Sequence, residues 1–262
     1  MQTKIFYFST TGNSLVMARS IAEGLGDTEL IPMPKIKDGT IEVTESRVGF
    51  VVPVYAWGLN EPVVKFLKRL KLNKEQYIFA VATCGGTPGK TLVQLQKLIK
   101  KAGGSLKAGF VVKEGANSVV PDPDIALYMK RINKNMPKSG KERFAEILYT
   151  VEGNRLHDPE TSSFKINFLG SLFYKMGALM TKQMKMMDTG FSVDDKCNAC
   201  RICERICPVE NVKVVDGRPQ WNHECAMCNA CIQWCPEQAI HFKNETRRYN
   251  NPEIKVRDLI LR

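Results

Sequence analysis

The sequence predicts an α/β fold with a doubly wound, five-stranded parallel sheet, followed by a small α+β domain. Two observations predict it: short apolar runs alternate with helical patterns through the first half of the chain, and eight of the nine cysteines lie in the last third. The length of 262 residues suits one to two domains, and the 44% hydrophobic content allows a full core. We expect a first domain at 1–156, a connecting segment at 157–190 and a second domain at 191–262.

The apolar runs predict the strands of the sheet, and the amphipathic stretches predict the helices that cross between them. The strands are expected at 4–8, 29–31, 48–54, 77–82 and 106–112. The helices are expected at 13–24, 61–70, 91–101 and 139–155. In such sheets ligands bind beyond the carboxyl ends of the strands, so the loops after the first, third and fourth strands are the candidate site.

The loop after the first strand concentrates hydroxyl groups at the start of a helix. It comprises Ser9, Thr10, Thr11, Gly12, Asn13 and Ser14. Hydroxyls and backbone N–H groups at a helix N-terminus bind phosphate, although the same residues also serve as plain helix caps. The loop lacks the glycine spacing of dinucleotide-binding and P-loop motifs, so those two functions are excluded here.

Two further loops carry aromatic or glycine residues. The third strand is followed by Pro53, Val54, Tyr55, Ala56, Trp57 and Gly58, and the fourth by Thr83, Cys84, Gly85, Gly86, Thr87, Pro88 and Gly89. Glycines allow a backbone to approach a planar ligand closely. Either aromatic could instead fill the core, and the ninth cysteine, Cys84, is interpreted as a small structural residue. The loop at 115–118, after the fifth strand, gives a weaker signal.

The other eight cysteines form two copies of one spacing, each ending in Cys-Pro. The copies are Cys197, Cys200, Cys203, Cys207 and Cys225, Cys228, Cys231, Cys235. Three closely spaced thiolates wrap one [4Fe–4S] cube, and the fourth reaches the other cube. The spacing therefore predicts cluster I on Cys197, Cys200, Cys203 and Cys235, and cluster II on Cys225, Cys228, Cys231 and Cys207.

Zinc and disulfides are the alternatives for these cysteines. A zinc site of four thiolates uses two Cys-x2-Cys pairs, so it needs neither the third closely spaced cysteine of each copy nor the proline that follows the last cysteine. Disulfides suit an oxidising compartment, whereas the first residues lack the apolar stretch of a signal peptide. We therefore favour iron–sulfur clusters and expect a reducing, cytoplasmic location.

Both sets of motifs resemble known families. The first loop is similar to the S/T-x-T-G-x-T phosphate motif of flavodoxins at Ser9, Thr11, Gly12 and, with serine for threonine, Ser14. The cysteine pattern resembles bacterial-type two-cluster ferredoxins over 191–242, and the whole chain resembles the flavodoxin–ferredoxin fusion family. The resemblance implies FMN in the three loops, with Trp57 stacked on its ring. The third loop departs from short-chain flavodoxins in lacking a tyrosine, which leaves one flavin face free for solvent, a substrate or a cluster.

The resemblance implies electron transfer between FMN and two [4Fe–4S] clusters, as a low-potential carrier between redox enzymes in anaerobic metabolism. The alternative is a ferredoxin-fed flavin reductase that acts on a quinone, a nitro compound or a similar acceptor at the FMN. We favour the carrier because no obvious acid–base pair borders the three loops.

A formal net charge of +11 could indicate a protein that binds nucleic acid. Two clusters and a flavin phosphate would offset ~6 of these charges, so we expect no nucleic-acid partner and instead acidic redox-partner proteins. No apolar run approaches the ~20 residues of a transmembrane helix.

Two segments near the second domain have open interpretations. The basic amphipathic stretch at 164–187 could cover its own domain, form a homodimer contact or lie on a membrane, and we favour the first two. The tail from 247 onward either folds back on the cysteine-containing domain or is a frayed basic end.

Overall fold

A computed structural model describes residues 2–115, 138–160, 184–243 and 248–261. Its strands are β1 (Thr3–Tyr7), β2 (Thr28–Pro32), β3 (Ile41–Glu42), β4 (Arg47–Pro53), β5 (Leu70–Lys71), β6 (Tyr77–Cys84), β7 (Leu106–Lys113), β8 (Phe191–Val193), β9 (Val212–Val215), β10 (Arg218–Trp221) and β11 (Ile240–Phe242). Its α-helices are α1 (Asn13–Leu25), α2 (Glu61–Leu67), α3 (Thr91–Lys101), α4 (Gly140–Glu152), α5 (Ile202–Ile206) and α6 (Ala230–Gln233). Short 3₁₀ turns occupy Met33–Lys35, Met184–Gly190 and Val256–Asp258.

Five strands form the parallel sheet of the first domain, in the order β2-β1-β4-β6-β7. Counted along the sheet's own strands this is the order 2-1-3-4-5, that of the flavodoxin-like doubly wound fold. The order reverses between β1 and β4, so the crevice for a ligand opens beyond the carboxyl ends of these two strands. The predicted five-stranded parallel sheet is therefore confirmed.

The sheet is buried on both faces because helices cover each side. On one face, α2 and α3 bury Phe66, Leu95 and Ile99 against the sheet. On the other, α1 and α4 bury Leu15 and Ile147. Burial of each such side chain contributes about 1.5–3 kcal/mol, which explains why nearly continuous apolar runs mark the central strands.

One predicted helix is shorter than expected. The helix at 61–70 ends at Leu67, and Leu70 and Lys71 form the short strand β5, which pairs with β3 outside the main sheet. The guanidinium of Arg69 donates to the carbonyls of Ile36, Lys37 and Gly39. These three bonds hold the chain in an extended path, so a tertiary contact overrides the local helical pattern.

The connecting segment starts attached to the outer edge of the sheet. The amides of His157 and Glu160 donate to carbonyls of β7 at 2.9 and 3.1 Å, and the Glu160 carboxylate accepts from Val111 N at 2.7 Å. Arg143 of α4 pairs with the same carboxylate at 2.6 Å. An otherwise open sheet edge is thereby covered. Two sequence predictions lie partly outside the described residues. They are the amphipathic stretch at 164–187, of which 164–183 is not described, and the loop at 115–118, of which 116–118 is not described.

The second domain repeats one unit. Its antiparallel pairs are β9–β10 and β8–β11, and α5 and α6 begin near the third cysteine of each copy. Strands β9 and β11 occur at equivalent positions, where the sequence predicts a short strand after each proline-led turn. Within the described ranges, none of the helices combines the length and apolar character needed to cross a membrane.

Candidate functional site

The hydroxyl-rich loop lies between β1 and α1, at the point where the strand order reverses. Gly12 caps the helix with a φ of 107°, and the first turn of α1 contains no acidic residue. The side chains of Thr10, Thr11 and Ser14 are all buried. Ser14 Oγ lies 2.9 Å from Thr83 Oγ1, so hydroxyls from the first turn of α1 and the end of β6 converge. Hydroxyls and a positive helix end without an opposing carboxylate fit a phosphate group.

Residues 55–58 form a two-residue reverse turn that presents Trp57. The amide of Tyr55 donates to Gly58 O at 2.9 Å, and the amide of Gly58 donates to Tyr55 O at 2.8 Å. Ala56 and Trp57 have φ values of 43° and 61°, a combination typical of type I′ turns and usually left to glycine or asparagine. Backbone strain of this kind persists where surrounding structure enforces it, and it clusters at ligand sites.

The glycine loop after β6 enforces that turn. Gly89 has a φ of 56°, and a Cβ atom added there would lie 2.2 Å from Trp57 O. The next amide, Lys90 N, donates to the same carbonyl at 2.8 Å. The second and third predicted loops are therefore packed backbone against backbone, which leaves no room for a side chain at position 89.

Cys84 has a structural role in this loop. Its Sγ donates to Gly86 O at 3.0 Å, and burial raises the pKa of the thiol to about 12. A thiol with such a pKa is protonated at neutral pH and is a poor nucleophile. This environment agrees with the interpretation of Cys84 as a structural residue.

The structure gathers the other eight cysteines into two groups of four. The first quartet, Cys197, Cys200, Cys203 and Cys235, lines one cavity together with apolar residues of β9, β10 and β11. The second quartet consists of Cys207, Cys225, Cys228 and Cys231. Burial, with repulsion from Cys228, Cys207 and Cys225, raises the pKa of the Cys231 thiol well above its usual value. The cavity of the first quartet thus takes three cysteines from one copy and one from the other, and the crossed ligation itself stays a prediction.

The backbone around the quartets repeats in detail. The residues on either side of Cys200 have φ values of 58° and 60°, and those on either side of Cys228 have 48° and 61°. Amides four residues after Cys207 and Cys235 each donate to the cysteine sulfur at 3.3 Å. Left-handed residues in such loops turn backbone N–H groups toward an anionic centre, an arrangement common at iron–sulfur sites. Amides directed at the sulfurs also raise reduction potentials.

Burial disfavours the thiolate form of these cysteines. Desolvation raises the pKa of both Cys203 and Cys225 to about 12. A bound metal centre would offset that cost, because a coordinated thiol loses its proton outright. The structure describes all nine cysteines, and none of them forms the disulfides considered above.

The spacing of the sulfurs disfavours zinc. Among the described residues, which include every cysteine, no three cysteine sulfurs lie within 4.8 Å of one another. A tetrahedral zinc ion with Zn–S bonds of ~2.3 Å requires sulfurs ~3.8 Å apart. A cube binds each thiolate through a different iron and holds the thiolates farther apart. The residues present therefore fit two [4Fe–4S] clusters better than two zinc ions.

Thr10 joins the hydroxyl loop to the second quartet. Its Oγ1 donates to the carbonyl of Cys228 at 3.1 Å, and its own carbonyl accepts from Trp234 Nε1 at 2.7 Å. A hydroxyl has one hydrogen, so the Tyr55 hydroxyl, 3.1 Å away, donates to Thr10 Oγ1. A continuous hydrogen-bond chain thus runs from the aromatic turn, through the hydroxyl loop, to a cysteine of the second quartet.

The C-terminal tail completes this junction. Asn251 N donates to Thr11 O at 2.8 Å, and both Asn251 Nδ2 and the Tyr249 hydroxyl donate to Asn13 Oδ1, at 3.0 and 2.8 Å. Ile254 packs into the core of the first domain. The tail therefore folds back on both domains. Sequence reasoning missed this role of Tyr249 and Asn251, because no local pattern marks an asparagine that bonds across the whole chain.

Removal of the Thr10 hydroxyl is expected to weaken the junction. Valine in place of Thr10 keeps the shape but deletes the donor to Cys228 O and the acceptor of Tyr55. Because the site is buried, we expect a loss of about 1–3 kcal/mol in unfolding free energy. Serine retains the hydroxyl and should lose less. Urea unfolding of the two variants measures the difference, and equal losses would show that the hydrogen bonds contribute nothing beyond packing.

Solved structures similar to this chain include flavodoxins. A flavodoxin of Streptococcus pneumonia TIGR4 has a TM-score of 0.37 and 16% sequence identity, over 56% of this chain and 99% of that one. Flavodoxin 1 of Bacillus cereus has a TM-score of 0.37 and 14% sequence identity, over 52% of this chain and 99% of that one. Two-electron reduced Megasphaera elsdenii flavodoxin has a TM-score of 0.36 and 19% sequence identity, over 51% of this chain and 96% of that one.

The remaining comparisons found no relative. No family model matches the chain, and no curated protein matches it. The first domain is flavodoxin-like by its own strand order and by the position of its loops at the switch point. That assignment extends to the fold of the first domain, about half of the chain.

Proposed function

We propose that this chain is an electron-transfer protein that passes electrons between FMN and two [4Fe–4S] clusters. The observation that carries the proposal is the 3.1 Å hydrogen bond from Thr10 to Cys228, which joins the loop suited to phosphate to the second cysteine quartet. Electron transfer requires cofactors close together, and this contact keeps the two candidate sites adjacent within one chain.

The three loops have distinct parts in holding FMN. The hydroxyls of Ser9, Thr11 and Ser14, with the N-terminus of α1, would bind the phosphate, while the Thr10 hydroxyl is already bonded to Cys228 O. Trp57, on its strained turn, would stack on the flavin ring, and the backbone of Gly85 and Gly86 would approach the ring edge. FMN supplies two-electron and one-electron chemistry, and each cube supplies one-electron chemistry.

The cysteine quartets would hold the clusters with crossed ligation. Cluster I belongs to Cys197, Cys200, Cys203 and Cys235, and cluster II to Cys225, Cys228, Cys231 and Cys207. Backbone amides donate to the sulfurs of Cys207 and Cys235, and such bonds, together with burial, are the protein's means of setting the potentials. As part of the proposal, the protein acts in a reducing cytoplasm with other redox proteins as its partners.

Cofactor analysis of anaerobically purified protein tests the proposal. We expect ~8 iron, ~8 sulfide and one FMN per chain, and two cube-type EPR signals on full reduction. Redox titration followed by absorbance and EPR would then order the three potentials. Protein that contains zinc but no iron would refute the proposal, and steady turnover of a quinone or nitro compound at the FMN would support the reductase instead.

A further inference from the structure

We propose that electrons enter and leave the protein at the exposed face around Cys200, where a separate one-electron redox protein docks. Cluster II then transfers electrons between cluster I at this face and the flavin bound by the three loops. The inference rests on the proposed function and adds the order of the cofactors and the place of the partner. It comes from a difference between two loops that the internal repeat would otherwise make equivalent.

The loop of the second copy, at 226–231, is buried against the first domain. Cys228 is 7% exposed, and its neighbours Ala226, Met227 and Ala230 are also buried. Cys228 and Ala230 belong to the core cluster of the first domain. A protein from outside therefore cannot approach this loop without separating the two domains.

The equivalent loop of the first copy is open. Cys200, the counterpart of Cys228, is exposed. Its neighbours Asn198 and Arg201 are exposed as well, where the second copy has the buried Ala226 and Asn229. The amino-acid sequence contributes to the difference: Asn198 and Arg201 stand where the second copy has the smaller or uncharged Ala226 and Asn229.

Electron-transfer rates fall steeply with distance, so the cluster with an exposed ligand exchanges electrons with outside partners fastest. Cluster I meets that condition through Cys200. Cluster II, whose Cys228 carbonyl accepts from Thr10, is instead in hydrogen-bond contact with the flavin loops. The order that follows is partner, cluster I, cluster II, FMN.

The face carries charged groups that allow a test of its role. Lys196, one residue before Cys197, is exposed. Lys196→Glu changes the local charge by two without touching a buried residue. Lys97→Glu on the exposed side of α3 is the matched control, and Lys90→Glu beside the glycine loop reports on direct exchange at the flavin.

Oxidation of the fully reduced, cofactor-loaded chain by one-electron oxidants of opposite charge tests the location. Each ferricyanide or hexaammineruthenium(III) accepts one electron, so the metal complex is reduced as one centre of the protein is oxidised. At low salt, Lys196→Glu should slow oxidation of the protein by ferricyanide about 3–10-fold and accelerate oxidation by hexaammineruthenium by a similar factor. Both changes in rate should vanish at high salt, because charges farther apart than ~3–5 Å are then screened from each other. Lys97→Glu should change either rate less than twofold, and Lys90→Glu should change both rates less than Lys196→Glu does.

A second readout does not depend on electron transfer. A dysprosium–EDTA chelate in solution accelerates the spin relaxation of paramagnetic centres near the surface. We expect one of the two cluster EPR signals to respond strongly, and Lys196→Glu to weaken that response to the anionic chelate, while Lys97→Glu leaves it unchanged.

The possible outcomes separate the two proposals. Iron-loaded protein in which Lys90→Glu changes the rates more than Lys196→Glu would overturn the docking face alone, because electrons would then exchange at the flavin. Equal responses of both cluster signals to the chelate would overturn it too. Protein without iron would refute the proposed function and this inference with it.

Discussion

Replacing Cys207 with alanine is expected to reduce the iron content from ~8 to ~4 per chain or less. Cys207 belongs to the first sequence copy but sits with the second quartet. Its sulfur is buried and accepts from Asn211 N at 3.3 Å. Without it, cluster II would keep three ligands from a single loop. Because the crossed ligand also ties both halves of the small domain together, loss of cluster I can follow.

Iron and sulfide analysis after anaerobic reconstitution checks this prediction. Cys84→Ala is the matched control, since Cys84 is also buried but lies in the flavin-side glycine loop. The control should retain ~8 iron per chain. Full iron content in Cys207→Ala would contradict the crossed ligation.

Gly89→Ala is expected to destabilise the first domain by more than about 3 kcal/mol and to abolish FMN binding. An L-residue at this left-handed φ costs about 1–2 kcal/mol. The new Cβ would also lie 2.2 Å from Trp57 O, a backbone atom of a turn that is already strained. To relieve the contact the turn must move, and Trp57 would move with it. Urea unfolding measures the stability, and quenching of flavin fluorescence measures the binding.

Gly39→Ala separates strain from close packing. Gly39 has a φ of 79°, also left-handed, but a Cβ there would meet nothing within 4 Å. We expect this control to lose only about 1–2 kcal/mol and to bind FMN normally. Similar losses in both variants would show that the approach of Gly89 to Trp57 is unimportant.

Local and periodic features were predictable from the sequence. The five strands of the sheet agree with the structure to within two residues at each end, because buried central strands have distinctive apolar runs. The spacing also groups Cys235 with the first copy, and Cys235 lines the same cavity as Cys197, Cys200 and Cys203. These features depend on residues near one another in the chain or on an exact repeat.

Contacts between distant segments were not predictable. Asparagine at 251 and threonine at 10 are ordinary polar residues in the sequence, and only the packing of the two domains makes them partners of the hydroxyl loop and the second quartet. The early end of α2 has the same origin, since Arg69 draws the chain away from a helical path. Long-range geometry of this kind leaves no periodic pattern.

The tail that bonds to the hydroxyl loop has a consequence for how the protein is made. Asn251 and Asn13 are 238 positions apart along the chain. During synthesis the sheet of the first domain can form early, but the wall that Tyr249, Asn251 and Ile254 add to its loop must wait until the cysteine-containing domain has been translated. Contacts of such sequence separation form slowly. The candidate phosphate site would thus be completed last, only after the cysteine-containing domain had folded against it.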